Sequence, residues 1–287
     1  MSGPLDQLRS WPVDNAAAAV LGPAGVLATT GPTELAFTLA SLTKPLTAMA
    51  GLVAVEEGAI ELDQPIAEPV GGRQLLDPEL ADQLAGASVR HLLAHASGLA
   101  PDRLARAAAV GRRRIYSNAG FDLLGELIGA ATAIPIAEYL NEAIFAPLQM
   151  RSASLAGSPA RDAIASVADL SALVGELLSP SGVLHPDTLA ALRTVQFPGL
   201  PGVLPGYGSQ PDNAWGLGFE IRDGKRPHWT STRNSAGTYG HFGQSGTMFW
   251  VDPDAQIGLI ALADRAFGDW AIQAWPALSD AVLDSFG

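Results

Sequence analysis

The sequence contains no cysteine and only two lysines, Lys44 and Lys225, against fifteen arginines. Without cysteine it has neither disulfides nor a thiolate metal site, which leaves its compartment open. Seventeen basic residues face twenty-nine acidic ones, a formal net charge of −12. Nucleic acid and anionic membrane are therefore not expected partners, because both call for a basic face. No unbroken apolar run of about 18 residues is present to span a bilayer. The first residues, MSGPLDQLRSWPVDN, lack the basic segment and apolar run of a secretory signal. A soluble, cytoplasmic, monomeric protein is the expectation.

What is present is a chain of 287 residues, 48% hydrophobic and 16% charged. That composition is globular, and the length suffices for one large domain with two lobes. No internal repeat or interdomain linker stands out. Residues 18–39 carry short apolar runs punctuated by GP, TTG and GP, the pattern of a strand pair with turns. From Ser41 to Glu57 the apolar spacing becomes helical, and Gly58 can end that helix. Helical segments follow near Ser88, Asn118 and Ile136. The stretch 198–214, PGLPGVLPGYGSQPDNA, is rich in Gly and Pro and reads as loop, and WGLGFEIR after it reads as a strand. Apolar runs at 246–251 and 256–263 flank the turn DPDA as a hairpin, and a final amphipathic helix covers 269–286.

Strands thus lie at both ends of the chain and helices in the middle. Because sequential strands tend to pair, the expected fold is α/β of the α+β type. An antiparallel sheet built from both termini (about 1–58 and 205–287) is flanked by helices. A mostly helical lobe (about 59–204) completes a single domain, with a cleft between the lobes.

The scarcity of lysine directs attention to LASLTKPL, residues 39–46. Ser41 and Lys44 stand at i, i+3 on one face of a helix's first turn, and Pro45 suits a position that needs no N–H donor. A serine hydroxyl is a poor nucleophile until its proton is taken. A lysine can take it when burial destabilises its ammonium, whereas an arginine stays protonated. A second cluster is Tyr116-Ser117-Asn118. A tyrosinate beside a lysine can share base and proton-shuttle work, and an asparagine amide can hold both a substrate carbonyl and the lysine. Asn118 also fits the cap of the following helix. A third cluster is His241-Phe242-Gly243, where a glycine admits close approach of ligand or backbone, followed by Gln244, whose N–H can serve as an oxyanion donor.

These three motifs, in this order, resemble those of the penicillin-recognising serine hydrolases, whose first motif is Ser-x-x-Lys. With YSN second and HFG third, the sequence looks most like the class C β-lactamase branch, which includes DD-peptidases and esterases. The segments AFTLASLTKPLTA, HLLAHASGL, YSNAGFDLLGELI, WGLGFE and GHFGQSGTMFWVDP extend the likeness over nearly the whole chain. The resemblance implies a β-lactamase/transpeptidase-like fold in which Ser41 forms an acyl-enzyme. Lys44 and Tyr116 would act as base and acid, Asn118 would contact the substrate, and His241 would orient Tyr116 or a substrate carboxylate. The N–H groups of Ser41 and Gln244 would form the oxyanion hole, with Gly243 beside them. No metal or cofactor is implied. The third motif of β-lactamases in this branch usually opens with lysine. Histidine there, with the absence of an export signal, points to an esterase or amidase acting on a small-molecule ester or amide. The alternative is a module of the same fold that binds acyl ligands without turning them over.

Three further features are read as structural, and a fourth is left open. His91 and His95 have zinc-pair spacing but lack the glutamate of H-E-x-x-H. GQSG at 243–246 is no nucleophile elbow. Arg112-Arg113-Arg114 reads as a solvated charge run. Tyr207 and Trp215 fit either a core or a cleft wall.

Overall fold

The computed structural model describes residues 3–287. Its centre is a six-stranded antiparallel sheet in the order β2-β1-β11-β10-β9-β8. β1 (Ala16–Gly22) and β2 (Gly25–Thr30) come from the start of the chain; β8 (Glu220–Ile221), β9 (Tyr239–Gly243), β10 (Thr247–Asp252) and β11 (Ile257–Ala263) come from its end. The termini meet where β1 pairs with β11, Ala17 opposite Leu262 and Ala19 opposite Ile260. β1 opens with four alanines, a poor strand former. It is extended because both of its edges are occupied and both faces covered.

Side-chain alternation divides the sheet's two faces between two cores. Ala17, Ala19, Leu21, Phe249, Val251, Ile260 and Leu262 face one core, built largely from helices. Ala18, Val20, Met248, Trp250, Leu259 and Ala261 face the other, which is closed by a 3-10 turn (Pro4–Ser10) and the C-terminal helix (Asp269–Phe286). Every residue of β10 and β11 is buried, as expected for strands covered on both sides.

The first core gathers helices α1 (Thr43–Glu56), α2 (Pro78–Gln83), α3 (Val89–Leu93), α4 (Asn118–Thr132), α5 (Ile136–Leu140), α6 (Val167–Leu178) and α7 (Pro186–Leu192). The C-terminal helix is α8. A small sheet joins β3 (Phe37–Thr38), β5 (Ala163–Ala165) and β4 (Ser154–Leu155). α1 is buried nearly all round and ends as its sequence suggests, with Gly58 at φ +73°.

Two expectations need correction. The Gly/Pro-rich stretch is not all loop: β6 (Gly202–Leu204) and β7 (Gly208–Gln210) form a short hairpin, its turn made by Gly206 at φ +78° and Gly208 at φ +83°. WGLGFEIR is strand only at β8, because Gly218 stands at φ +84° where its bare Cα packs on Ala48, which interrupts the extended chain. No single helix among the described residues is long and apolar enough to cross a membrane.

Candidate active site

Ser41 lies in a 3-10 turn, Ala40–Leu42, one turn ahead of α1 and not on the helix itself. Ala40, just before it, stands at φ +47°, a conformation that costs a non-glycine residue on the order of 1 kcal/mol and is held here by its surroundings. The turn is tied down on three sides. Leu39 N–H donates to Ala163 O, Thr43 Oγ1 donates to Ala40 O, and Thr247 Oγ1 donates to Leu39 O. Gly243 at the end of β9 is required for this packing, because a Cβ there would meet Leu39 O at 2.2 Å. The turn's own hydrogen bonds are donated by Leu42 and Thr43, which leaves the Ser41 N–H outside them.

Lys44, on the first turn of α1, is wholly buried. Its Nζ lies 2.6 Å from Asn118 Oδ1, 2.9 Å from Ala160 O and 3.5 Å from Ser41 Oγ, and 4.5 Å above the Tyr116 ring. None of these neighbours is a carboxylate. Burial lowers the ammonium to about 7, with the more distant Asp122 opposing and Arg161 assisting. A neutral amine has two N–H donors and one lone pair. The two carbonyl-type acceptors take the donors, and the lone pair is left for Ser41.

Asn118 is free for this contact because it is not the helix cap. Ser117 is: its Oγ accepts from Gly120 N–H at 2.9 Å. The loop carrying Tyr116 is pinned by His95, whose carbonyl accepts from Ile115 N–H and whose Nδ1 accepts from Ser117 N–H. His95 is therefore neutral with its proton on Nε2. Its ring packs 4.7 Å from Tyr116 and 4.6 Å from Trp215. His91 instead bonds Ser88 Oγ and stacks on Phe197, so the two histidines share no ligand position.

Burial raises the Tyr116 phenol above its ordinary value, with the Ser41 hydroxyl pulling the other way. At neutral pH it is a phenol, not the tyrosinate considered from the sequence. Its Oη lies 3.4 Å from His241 Nε2. His241 Nδ1 donates to Phe242 O at 2.7 Å, which fixes Nε2 as the unprotonated nitrogen facing Tyr116. Burial, reinforced by the charge on Lys44, lowers His241 to about 3. A neutral imidazole cannot act as a cationic anchor for a substrate carboxylate.

Ser41, Tyr116, Asn118, His241 and Gln244 line one cleft of about 230 Å³, together with Leu204, Pro205, Trp215 and Phe242. Six of the seven sequence-derived site residues thus meet in one place: Lys44 lies just beneath the wall, and Gly243 packs the strand end behind it. Tyr207 sits behind Phe242, at 6.2 Å between rings. Arg114 departs from expectation. It is buried, and its guanidinium donates to the carbonyls of Ala94, Asn213, Gln196 and Phe197, so it clamps the loops around the site while Arg112 and Arg113 stay exposed.

Three participants left no mark in the sequence. Ala160 acts through its carbonyl, so its side chain carries no signal. Asp102 accepts from Asn118 Nδ2 without any motif to announce it. Glu220, on the cleft wall, sits in a buried cluster with Lys225, His228 and Trp229. Among the described residues no group of three or more His, Asp or Glu is placed to hold a metal ion.

Comparison with known proteins agrees with this architecture. The solved structure of a beta-lactamase from Mycobacterium bovis shares 51% identity over 99% of both chains, with a TM-score of 0.91. Simvastatin synthase from Aspergillus terreus, at 17% identity, covers 100% of this chain and 99% of its own with a TM-score of 0.81. EstCE1, a hydrolase with promiscuous acyltransferase activity, has 18% identity over 96% and 95% of the two chains and a TM-score of 0.77. No curated protein sequence matches. The Beta-lactamase family model matches residues 16–282, and with the fold and the Ser41-Lys44-Tyr116 cluster described above, the chain belongs to the beta-lactamase family.

Proposed function

We propose that the protein is a serine hydrolase that cleaves neutral carboxylic esters through an acyl-enzyme on Ser41. The observation that carries this reading is the setting of Lys44, whose amine has its donors engaged by Asn118 Oδ1 and Ala160 O and faces Ser41 Oγ. Lys44 takes the Ser41 proton as Oγ attacks the ester carbonyl. The N–H groups of Ser41 and Gln244 stabilise the oxyanion. The proton passes through Tyr116, held by His241, to the departing alkoxide as the C–O bond breaks. Water then attacks the acyl-serine by the same steps in reverse, which releases the acid and restores the Ser41 hydroxyl.

The substrate class follows from the cleft wall. Leu204, Pro205, Trp215 and Phe242 suit an apolar acyl or alkyl group. Among the described residues no lysine or arginine lines the cleft, and His241 is neutral, so a substrate carboxylate finds no cation there. That favours a plain ester over a β-lactam or a D-amino-acid peptide. The relative from Mycobacterium bovis supports a second reading, β-lactam hydrolysis, on its 51% identity.

The test compares p-nitrophenyl butyrate with a chromogenic cephalosporin, using wild type and Ser41→Ala. Ester turnover abolished in Ser41→Ala, with little cephalosporin cleavage, supports the proposal. Efficient cephalosporin turnover favours the second reading. A single stoichiometric burst followed by silence would identify a module that is acylated without turnover.

A further inference from the structure

The loop after α3 is stitched to the start of α4. Asn118 N–H and Ala119 N–H both donate to Pro101 O, at 2.7 and 3.1 Å. Ser117 Oγ donates to Ala100 O at 2.7 Å. This places Asp102 beside the Asn118 side chain, where Oδ1 accepts from Asn118 Nδ2 at 2.7 Å. Asp102 is also paired with Arg161 Nη1 at 3.6 Å, and Arg161 follows Ala160, whose carbonyl binds Lys44.

Asn118 is therefore clamped between two partners of opposite kind. A carboxylate accepts only, so it requires the amide nitrogen on its side. The amide oxygen must then face Lys44. Without Asp102 the amide can turn over and donate Nδ2–H to the lone pair of a neutral Lys44, which withdraws that lone pair from Ser41. We propose that Asp102 is a positioning residue for the proton transfer: it fixes the Asn118 amide so that the Lys44 lone pair remains directed at Ser41. Arg161 holds Asp102 in place. This inference rests on the reading of Ser41 as nucleophile and Lys44 as base.

Asp102 and Arg161 are partly exposed, with side-chain accessibilities of 67% and 49%, so substitutions there leave the core intact. The charged and titratable groups around Lys44 are Asp122 on α4, Arg161, Asp102, and the neutral His95, His241 and Tyr116. Removing Asp102 takes away an anion that favours the ammonium, and removing Arg161 takes away a cation that opposes it. The two losses therefore move Lys44 in opposite directions.

The experiment measures kcat and KM for p-nitrophenyl butyrate in Asp102→Ala, Asp102→Asn and Arg161→Gln. It also follows both lysine side chains by NMR with labelled lysine; the chain has only two, so Lys44→Arg assigns the spectrum. We expect Asp102→Ala to lower kcat about tenfold with KM within about twofold, since misplacing a catalytic group by a fraction of its contact distance costs on this scale. Asp102→Asn, which keeps an acceptor, recovers to about a third of wild type. The Lys44 titration moves to lower pH in Asp102→Ala and to higher pH in Arg161→Gln. An active wild type with Asp102→Ala matching it in kcat overturns the proposal and leaves the hydrolase reading standing. A wild type inert to the ester and to a fluorophosphonate probe overturns the hydrolase reading. In that case the positioning role falls with it, because no proton transfer remains for the Asn118 amide to serve.

Discussion

The two lysines of this protein are both buried, and they are buried in opposite ways. Lys44 is surrounded by an amide oxygen, a backbone carbonyl and a hydroxyl. Lys225 is paired with the buried carboxylate of Glu220 and donates to the carbonyls of Ala214 and Ile221. Glu220 in turn accepts from His228 Nε2 and from Trp229 Nε1, each at 2.9 Å. Burial alone would raise Glu220, but His228 and Lys225 hold it well below the usual carboxylate range. An ammonium in a dry site survives if a carboxylate answers it and gives up its proton if none does. The first arrangement suits the base proposed above. The second fixes a loop to the strand beside the cleft.

The largest expected effect separates the two roles. Lys44→Met removes the base and should lower kcat/KM by about 10³-fold, within the range of general-base contributions. It should leave stability equal or raised, because it also removes an amine that resents burial. Lys225→Met should act on stability. It strands Glu220 as a buried carboxylate without its cation, a loss worth roughly 3–5 kcal/mol in comparable ion pairs. Urea unfolding of both variants reads this directly. A Lys225→Met/Glu220→Gln double variant should recover part of the loss, because the neutral amide leaves no charge to strand. Equal destabilisation by Lys44→Met and Lys225→Met would erase the distinction.

The second effect is on pH. Lys44 titrates near 7 when folded and near 10.4 when unfolded. The unfolded chain therefore binds more protons between these values, and stability rises with pH across that window. The cost of burying the amine is fully felt below about pH 7 and fully relieved only above about pH 10.4. Melting temperatures of wild type should climb from about pH 7 towards about pH 9, and the slope should be smaller in Lys44→Met. Glu220 gives a slope of the same sign in a more acidic window. Its folded value is depressed, so its contribution is present above the unfolded carboxylate value and is lost on acidification.

The Lys44 site was legible in the sequence and the Lys225 site was not. Ser41, Lys44, Tyr116, Asn118 and His241 are residue types whose chemistry makes sense together, and their family order brings them together before any coordinates are known. A sheet built from both termini was legible too, since apolar runs at both ends have to find partners, but not that β1 pairs with β11. Lys225 lies in GKRP, which has the composition of an exposed turn, and nothing local says that Glu220 and Trp229 close over it. Arg114 was misread for the same reason. Its partners are backbone carbonyls, which have no identity in the sequence. Long-range burial of a charge is invisible whenever the answering group is main chain or a distant side chain.

Each buried lysine also has a histidine nearby, and this gives the finest test of the comparison. Activity that rises through about pH 7 has two candidate sources in the cleft, Lys44 and an ordinary histidine, whose usual value is near 6.5. Burial holds His241 at about 3, so it is neutral throughout the working range and only accepts a hydrogen bond from Tyr116. His241→Gln keeps an acceptor near Tyr116 and should cost about tenfold in kcat, the scale of a loosened proton path. The limb of the kcat/KM profile near 7 should stay where it is, because Lys44 produces it. Loss of that limb in His241→Gln would assign the titration to the imidazole, and the contrast between a lysine that discharges and one that stays paired would then fail at the site where it matters for chemistry.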